Sequence, residues 1–209
     1  MNVLKNTYYA FRHGQSRANV EGVIISDPAV GTVDYGLTEE GRRQVAASLE
    51  LADAFDTESR LFSSDFLRAR ETAEIIRETL GVPEIVIEER LRERFFGEWE
   101  GQCHANYSKT WKKDAFDPNR EYCGAESSRA VQERMWAVIQ SLEHVFEEKT
   151  VILVSHGDPL MLLQTAFQNL GPERHRSLPY IETAQWRLLN PQVPIIGTGS
   201  NLGMRKDSL

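Results

Sequence analysis

Short apolar segments rich in β-branched and aromatic residues alternate along the chain with longer segments of helical periodicity, and this alternation limits the possible folds most. The apolar segments predict five strands, at residues 7–11, 60–64, 85–87, 150–154 and 183–189. The periodic segments predict four helices, at residues 38–53, 66–80, 127–148 and 158–170, the last with Asp158 as its N-cap. Strands that alternate with helices are typical of α/β proteins, so we expect an α/β fold with a mostly parallel sheet.

The size and charge of the chain limit its partners. Its 209 residues suit one domain, and we expect residues 1–209 to form it, with a loosely held tail at about 191–209. A formal net charge of -7 argues against nucleic acid or an anionic membrane surface as the main partner. No segment is apolar enough for a membrane span, no signal peptide is visible, and two cysteines do not make a disulfide framework. We therefore expect a cytoplasmic protein, with its oligomeric state left open.

Basic side chains follow three of the predicted strands at the point where each strand ends. Arg12 and His13 come directly after the first strand, and Arg68 lies at the start of the helix after the second. His156 follows the apolar strand at residues 150–154. Ligands of open parallel sheets bind outside the carboxyl ends of the strands, so these side chains are expected at one crevice. The sequence therefore predicts a site for an anion, and a phosphoryl group suits it best.

Six short motifs occur in the chain between about residues 7 and 170. They are Arg12-His-Gly-Gln-Ser-x-x-Asn19, Leu37-Thr-Glu-Glu-Gly41, Phe62-Ser-Ser-Asp-x-x-Arg-Ala-x-x-Thr-Ala73, Leu91-x-Glu-x-x-x-Gly-x-Trp-Glu-Gly101, Gly124-Ala-Glu-Ser127 and Val154-Ser-His-Gly157. In composition and order they resemble the motifs of the histidine phosphatase superfamily, which is also called phosphoglycerate mutase-like. The resemblance implies a three-layer α/β/α sandwich around the mostly parallel central sheet.

The resemblance also implies a role for each charged residue at the crevice. His13 corresponds to the nucleophile that becomes a phosphohistidine, and Glu93 corresponds to the general acid. The groups that bind the phosphoryl oxygens correspond to Arg12, Arg68 and His156, the last as an imidazolium. These cationic groups replace the metal that many phosphotransfer enzymes need, so no metal or other cofactor is expected.

Asp158 is the rival to Glu93 as the acid. Another branch of the superfamily uses an aspartate directly after the second histidine. Gly157 separates Asp158 from His156 in this chain, so that pattern fits poorly and Glu93 is favoured.

The resemblance places further residues of these motifs at the substrate: Gly14, Gln15, Ser16, Asn19, Glu126 and Ser127. For Glu126 and Ser127, an N-cap role in the helix at 127–148 is an equal alternative. Three aromatic residues are candidate walls of the pocket, although packing in the core suits them equally: Trp99, Tyr107 and Trp111. Substrate specificity is expected to reside in residues 22–36 and 102–126.

The resemblance implies a phosphomonoester hydrolase acting on a small phosphorylated metabolite. Mutases of the superfamily resemble one another in a long insertion before the second histidine and in a Tyr, a Lys and an Arg pair within it. Here the segment from Glu93 to His156 is short, Phe96 stands at the Tyr position, His104 lies near the Lys position, and no Arg pair occurs. A phosphatase is therefore favoured over a phosphoglycerate mutase-type transferase. The alternative from another class is a protein that binds phosphorylated ligands without turnover.

Overall fold

The computed structural model describes residues 4–190, and the tail predicted at 191–209 lies outside the described residues. Within residues 4–190 the strands are β1 (Thr7–Arg12), β2 (Arg60–Ser63), β3 (Ile85–Ile87), β4 (Thr150–Ser155) and β5 (Trp186–Leu188). The α-helices of the same region are α1 (Arg17–Glu21), α2 (Pro28–Gly31), α3 (Glu39–Leu49), α4 (Leu67–Leu80), α5 (Tyr107–Asp114), α6 (Ser128–Val145) and α7 (Gly157–Phe167). Short 3-10 helices lie at Glu89–Leu91, Gly97–Trp99, His104–Asn106 and Pro172–Ser177.

The strands form one sheet in the order β3-β2-β4-β1-β5. The first four strands are parallel to one another, and β5 pairs antiparallel with β1. The predicted α/β fold with a mostly parallel sheet is confirmed. Because β1 and β4 are neighbours, Arg12 pairs with Ser155 at their carboxyl ends, and the residues that follow each strand emerge side by side.

Helices cover both faces of the sheet, which gives the expected three layers. Successive side chains of a strand point to opposite faces. In β4, Val151 and Leu153 join the core beneath α6 and α7, whereas Ile152 and Val154 join the core beneath α3 and α4. This two-sided burial explains why β4 is apolar throughout instead of alternating with polar residues.

The crevice at the carboxyl edge of the sheet lies where the chain changes sides. After β1 the chain leads to α3 on one face, and after β4 it leads to α7 on the other. Neighbouring parallel strands whose connections diverge in this way leave an opening between them, which is the usual ligand position in open α/β sheets. Residues after β1 and β4 therefore line a common site.

Several predicted boundaries are wrong by a few residues. The helix predicted at 158–170 begins at Gly157, has His156 at its N-cap and ends at Phe167. Asp158 does not cap this helix because its carboxylate accepts hydrogen bonds from Arg94 and Trp111 instead. The helices predicted at 38–53 and 127–148 end at Leu49 and Val145, and the strand predicted at 183–189 is limited to Trp186–Leu188. The predicted loop at 22–36 contains α2.

Within the described part of the chain, none of the helices is both long and apolar enough to cross a membrane. The cytoplasmic location and the exclusion of nucleic acid as a partner stay predictions.

Candidate active site

His13 follows β1 and is 2% exposed. Its Nδ1 lies 2.7 Å from the carbonyl oxygen of Gly14, which can only accept a hydrogen bond, so Nδ1 carries the proton. Burial, together with Arg68 and Arg12, lowers the pKa of His13 well below its usual value of 6.5. The ring is therefore neutral, and its Nε2 holds a lone pair that accepts a hydrogen bond from Arg68 Nε at 3.1 Å.

Two arginines surround this nitrogen and retain unused donors. Arg68, at the start of α4, is 4% exposed; its Nη2 donates to the carbonyl of Ile25 at 2.9 Å and lies 3.9 Å from Glu93 Oε2. Arg12 Nη1 donates to the carbonyl of Ile181 at 3.1 Å. Within residues 4–190, Arg68 Nη1 and Arg12 Nε are buried without a hydrogen-bond partner. Buried polar groups are normally satisfied, and the oxygens of an anion would satisfy both donors.

Glu93 lies just after the 3-10 helix at Glu89–Leu91 and is 9% exposed. Its Oε1 accepts the backbone N–H of Arg94 at 2.9 Å. Burial raises the pKa of Glu93 to about 7; Arg68 opposes the rise and Asp158 adds to it. A large fraction of this carboxyl is therefore protonated near neutral pH, as a general acid requires.

His156 follows β4 and is fully buried, with its ring centroid 5.2 Å from that of His13. Its Nε2 lies 2.9 Å from the hydroxyl oxygen of Ser64. Burial, and then Arg68, lowers the pKa of His156 well below 6.5. The ring is therefore neutral in the site as described, because burial, and then the positive charge of Arg68, opposes its protonation. The imidazolium expected beside a bound phosphoryl group stays a prediction.

A network of buried charged side chains lies beside Glu93. Arg94 donates to both carboxylate oxygens of Asp114, at 2.6 and 2.9 Å, and to Asp158 Oδ2 at 3.1 Å. The other oxygen of Asp158 accepts Trp111 Nε1 at 2.8 Å and lies 3.7 Å from His175 Nε2. Both oxygens of Asp158 are therefore engaged as acceptors, which fits a structural carboxylate better than a proton donor.

A cavity of about 60 Å³, hereafter the inner pocket, lies among these groups; His13 lines it, whereas His156 is buried beside His13 and does not. That volume is about four times the ~15 Å³ that one water occupies by the same measure, enough for one phosphoryl group. Its acidic and basic lining residues are Arg12, Arg68, Glu93, Asp158 and the neutral His13. Gly157 completes the wall, and a Cβ at this position would lie 2.8 Å from the hydroxyl oxygen of Tyr180. A wider cavity of about 420 Å³, hereafter the outer chamber, adjoins the inner pocket and shares several of its residues.

The predicted substrate contacts of the first motif divide into two pairs. Ser16 and Asn19 line the inner pocket, and Asn19 Oδ1 accepts a hydrogen bond from the Ser16 hydroxyl at 3.0 Å. Gly14 and Gln15 do not line either cavity. A Cβ on Gly14 would lie 2.5 Å from the carbonyl oxygen of Gly41, so this glycine permits close packing of the loop against α3.

Glu126 and Ser127 line neither the inner pocket nor the outer chamber. The Ser127 hydroxyl caps α6 by accepting the N–H of Ala130 at 3.1 Å, and Glu126 forms an ion pair with Arg134 at 2.8 Å. For Ser127 the structure therefore shows the capping alternative, and Glu126 pairs with Arg134 of the same helix, which also donates to the Glu93 carbonyl at 3.3 Å.

Of the three candidate aromatic walls, Tyr107 and Trp111 line both cavities and Trp99 lines neither. The indole of Trp99 instead packs against Lys109, whose Nζ lies 4.5 Å from the ring centroid.

Several residues at the site escaped the sequence analysis. The Arg12 guanidinium lies over the ring of Tyr180, 5.1 Å from its centroid, and Tyr180 belongs to an irregular segment without periodicity. Ser64 belongs to the motif around Arg68, where its position directly after β2 could have indicated contact with His156. Arg94 resembled a solvated charge, since arginines and glutamates alternate around it.

The sequence model of the histidine phosphatase superfamily (branch 1) matches residues 8–192, which include every charged group of the inner pocket. The chain belongs to the histidine phosphatase superfamily.

Members of the histidine phosphatase superfamily with different activities are similar to this chain. Phosphoglycerate mutase-like protein 4 of Arabidopsis thaliana is 30% identical over 83% of this chain and 74% of its own length. A 2,3-bisphosphoglycerate-dependent phosphoglycerate mutase of Brucella melitensis biotype 2 is 28% identical, over 82% of this chain and 85% of the mutase. A solved mycobacterial glucosyl-3-phosphoglycerate phosphatase in complex with VO3 superimposes with a TM-score of 0.72 at 28% identity, over 86% of this chain and 90% of that chain. The chain is thus an enzyme of this superfamily, with phosphatases and mutases among its relatives.

Proposed function

We propose that the protein is a phosphomonoester hydrolase in which His13 Nε2 takes the phosphoryl group of a small phosphorylated metabolite and passes it to water. The observation that carries the proposal is the 2.7 Å hydrogen bond from His13 Nδ1 to the Gly14 carbonyl. This bond fixes the tautomer, so the lone pair stays on Nε2, the nitrogen beside Arg68. Residues 1–209 are proposed to form one domain with this single site.

In the first step, Nε2 of His13 forms a bond to phosphorus while the bond from phosphorus to the ester oxygen breaks. Glu93 gives its proton to that oxygen, which leaves as the alcohol. Arg12 and Arg68 bind the other phosphoryl oxygens through their guanidinium groups. Arg68 Nε, which donates to His13 Nε2, must transfer its hydrogen bond to a phosphoryl oxygen before the attack.

In the second step, Glu93 is a carboxylate and accepts a proton from the attacking water. The bond from water oxygen to phosphorus forms as the bond from phosphorus to Nε2 breaks, which returns His13 to its neutral form. Inorganic phosphate leaves, and Glu93 is again protonated. The pKa of about 7 suits both roles, since neither protonation state is rare near neutral pH.

His156 is proposed to donate a hydrogen bond to the same phosphoryl oxygens. Its Nδ1 has no hydrogen-bond partner among the described residues, and the ring lies directly beside His13. A bound phosphoryl dianion would offset the effect of Arg68 on the ring and raise the pKa of His156.

Mutase activity is the second candidate, since the relatives from Arabidopsis thaliana and Brucella melitensis are named phosphoglycerate mutase-like or mutase. A mutase returns the phosphoryl group from His13 to a second hydroxyl instead of to water. Incubation of 3-phosphoglycerate with a trace of 2,3-bisphosphoglycerate distinguishes the two. A phosphatase releases inorganic phosphate, whereas a mutase forms 2-phosphoglycerate.

Hydrolysis of p-nitrophenyl phosphate in EDTA tests the proposal. We expect turnover by the native chain and its loss in His13→Ala, because this variant lacks the nitrogen beside Arg68 that is proposed to accept the phosphoryl group. His144→Ala is the matched control, since His144 is exposed on α6 and should retain full activity. Retained activity in His13→Ala would contradict the mechanism, and activity that requires an added divalent metal would contradict the proposed metal independence.

A further inference from the structure

The outer chamber differs from the inner pocket in charge and in composition. Its charged or titratable basic side chains are Arg12, His104 and Arg176, and no carboxylate lines it within the described part of the chain. Its aromatic walls are Tyr107 and Trp111, whose rings stack with centroids 5.4 Å apart, and Tyr180 on the other side. The two cavities adjoin and share Arg12, Tyr107 and Tyr180, so the alcohol part of a phosphoester bound in the inner pocket can extend into this chamber.

Arg176 is held at the wall of this chamber by two aromatic rings. Its guanidinium carbon lies 3.9 Å from the centroid of Trp111 and 5.0 Å from that of Tyr180. Within residues 4–190 it forms no ion pair with a carboxylate, unlike most arginines around the site. Stacking on aromatic faces leaves the N–H groups at the edge of the guanidinium plane available to an acceptor. Arg176 is exposed, but these two ring contacts restrain its position and leave its donors available to a ligand in the chamber.

Tyr180 contacts both Arg176 and Arg12, a residue of the proposed reaction centre. Arg12, which lines the inner pocket, also lies over the Tyr180 ring, at 5.1 Å from its centroid. The guanidinium carbons of Arg12 and Arg176 lie 5.1 and 5.0 Å from the centroid of the Tyr180 ring. The distance between the two carbons therefore cannot exceed the sum of these two distances. A small molecule is long enough to place one anionic group at each arginine.

We propose that Arg176 is a specificity-determining residue that binds a second anionic group on the alcohol part of the substrate. This inference rests on the proposed function and names its substrate class: a phosphomonoester that carries a carboxylate or a second phosphate within one small molecule. Arginine binds either group through paired hydrogen bonds, and the stacked rings of Tyr107 and Trp111 contact the carbon skeleton between the two anions.

Matched substrate pairs test the proposal. The first pair is 3-phosphoglycerate and glycerol 3-phosphate, which share a three-carbon skeleton and differ in a carboxylate. The second pair is glucose 1,6-bisphosphate and glucose 6-phosphate, which differ in a second phosphate. For at least one pair we expect the native chain to prefer the more anionic member about tenfold in kcat/KM, the size typical of a charged hydrogen bond. The pair that shows the preference identifies the second anion.

Substitutions at two neighbouring arginines then assign the preference. In Arg176→Gln the ratio of kcat/KM values within the preferred pair should fall toward one, mostly through a higher KM, and Arg176→Lys should retain part of it. Arg174→Gln is the matched control, because Arg174 is exposed on the same 3-10 helix, as Arg176 is, but lines neither cavity. An unchanged ratio in Arg176→Gln, or no preference in the native chain for either pair, would overturn the proposal.

Failure of the proposed function is separable from failure of this inference. A native chain that hydrolyses p-nitrophenyl phosphate but discriminates within neither pair contradicts only the role of Arg176. A native chain that hydrolyses no phosphoester contradicts the proposed function. Calorimetric binding of the same pairs still measures the role of Arg176 in that case, and equal affinities within each pair would overturn it.

Discussion

The inner pocket and the outer chamber share several wall residues, but the residues found at only one of them come from different parts of the fold. His13 and His156 follow adjacent parallel strands, and Arg68 begins the helix after a third strand. The residues that line only the outer chamber come from short helices: His104 and Ala105 from the 3-10 helix at His104–Asn106, Ser108 from α5 and Arg176 from the 3-10 helix at Pro172–Ser177. Strand pairing therefore fixes the positions of the reacting groups. The walls of the outer chamber can change by substitution in short helices without disturbing the sheet.

The buried network around Arg94 connects the two regions. Arg94 follows Glu93 in the chain, and its partner Asp114 ends α5. Asp158 contacts Trp111 of the outer chamber and also raises the pKa of Glu93. Changes at Glu93 should therefore affect the chemical steps, whereas changes in the network should affect stability or the pKa of Glu93.

The largest expected effect distinguishes the two candidate acids. Glu93→Gln should lower kcat about a thousandfold for an alkyl phosphate such as glycerol 3-phosphate, which needs a protonated leaving group. Asp158→Asn should lose no more than about tenfold, because both oxygens of Asp158 are engaged by Arg94 and Trp111. The measurement is steady-state kcat for each variant. A larger loss in Asp158→Asn than in Glu93→Gln would identify Asp158 as the acid.

The next largest expected effect is the loss of protein stability when the network around Arg94 is disrupted. Asp114→Asn removes the paired carboxylate of Arg94 and leaves a buried positive charge with only Asp158, so unfolding free energy should fall by about 3 kcal/mol. Urea unfolding at neutral pH measures this change. The control is Asp53→Asn on the surface, which should change stability by less than about 0.5 kcal/mol. Equal stability of the Asp114 and Asp53 variants would show that the network does not stabilise the connection between the two regions.

The smallest expected effect is a displacement of the pH profile. Glu93 must be protonated to act as an acid, so kcat/KM should fall as pH rises through about 7. His13 is neutral well below pH 6.5 and should not limit activity between pH 6 and 7. In Asp158→Asn the descending limb should move to lower pH, because the lost negative charge raises the pKa of Glu93 in the native chain. Glu84→Gln on the surface is the control, and a limb that moves equally in both variants would contradict this coupling.

The same pKa has a consequence for stability. Burial raises the pKa of Glu93 in the folded chain, so the folded state binds the proton more tightly than the unfolded state. The contribution of this group is most favourable at low pH and is lost as pH rises toward and through 7. Burial of Glu93 therefore lowers the free energy of unfolding above neutral pH. Such a loss of stability is common where a residue serves a reaction.

Much of the sheet and the inner pocket could be predicted from the sequence. Apolar runs located each strand, and the positions of Arg12, His13, Arg68 and His156 after strand ends predicted their convergence. The resemblance of the motifs identified Glu93 as the candidate acid. Periodicity alone did not distinguish Glu93 from the charged residues around it. These predictions depend on local patterns and on the geometry of parallel sheets.

The remaining features depend on contacts between distant segments. His156 is neutral because it is buried and lies near Arg68, which together lower its pKa. Neither its burial nor its position near Arg68 is visible in the sequence. Asp158 resembled an N-cap, but Arg94 competes successfully for its carboxylate. Tyr180 and Arg176 belong to segments without a repeating pattern, so only the folded chain shows that they meet at the outer chamber.

Peptide mapping of the phosphorylated chain tests the central claim most directly. Glu93→Gln should still transfer the phosphoryl group from p-nitrophenyl phosphate, whose leaving group needs little protonation, but it lacks the base for the second step. We expect mass spectrometry after an alkaline quench to find one phosphoryl group on His13, with a burst of p-nitrophenolate of equal amount. A phosphoryl group on another residue would contradict the assignment of His13 as the nucleophile, and turnover without any phosphorylated chain would contradict the two-step mechanism.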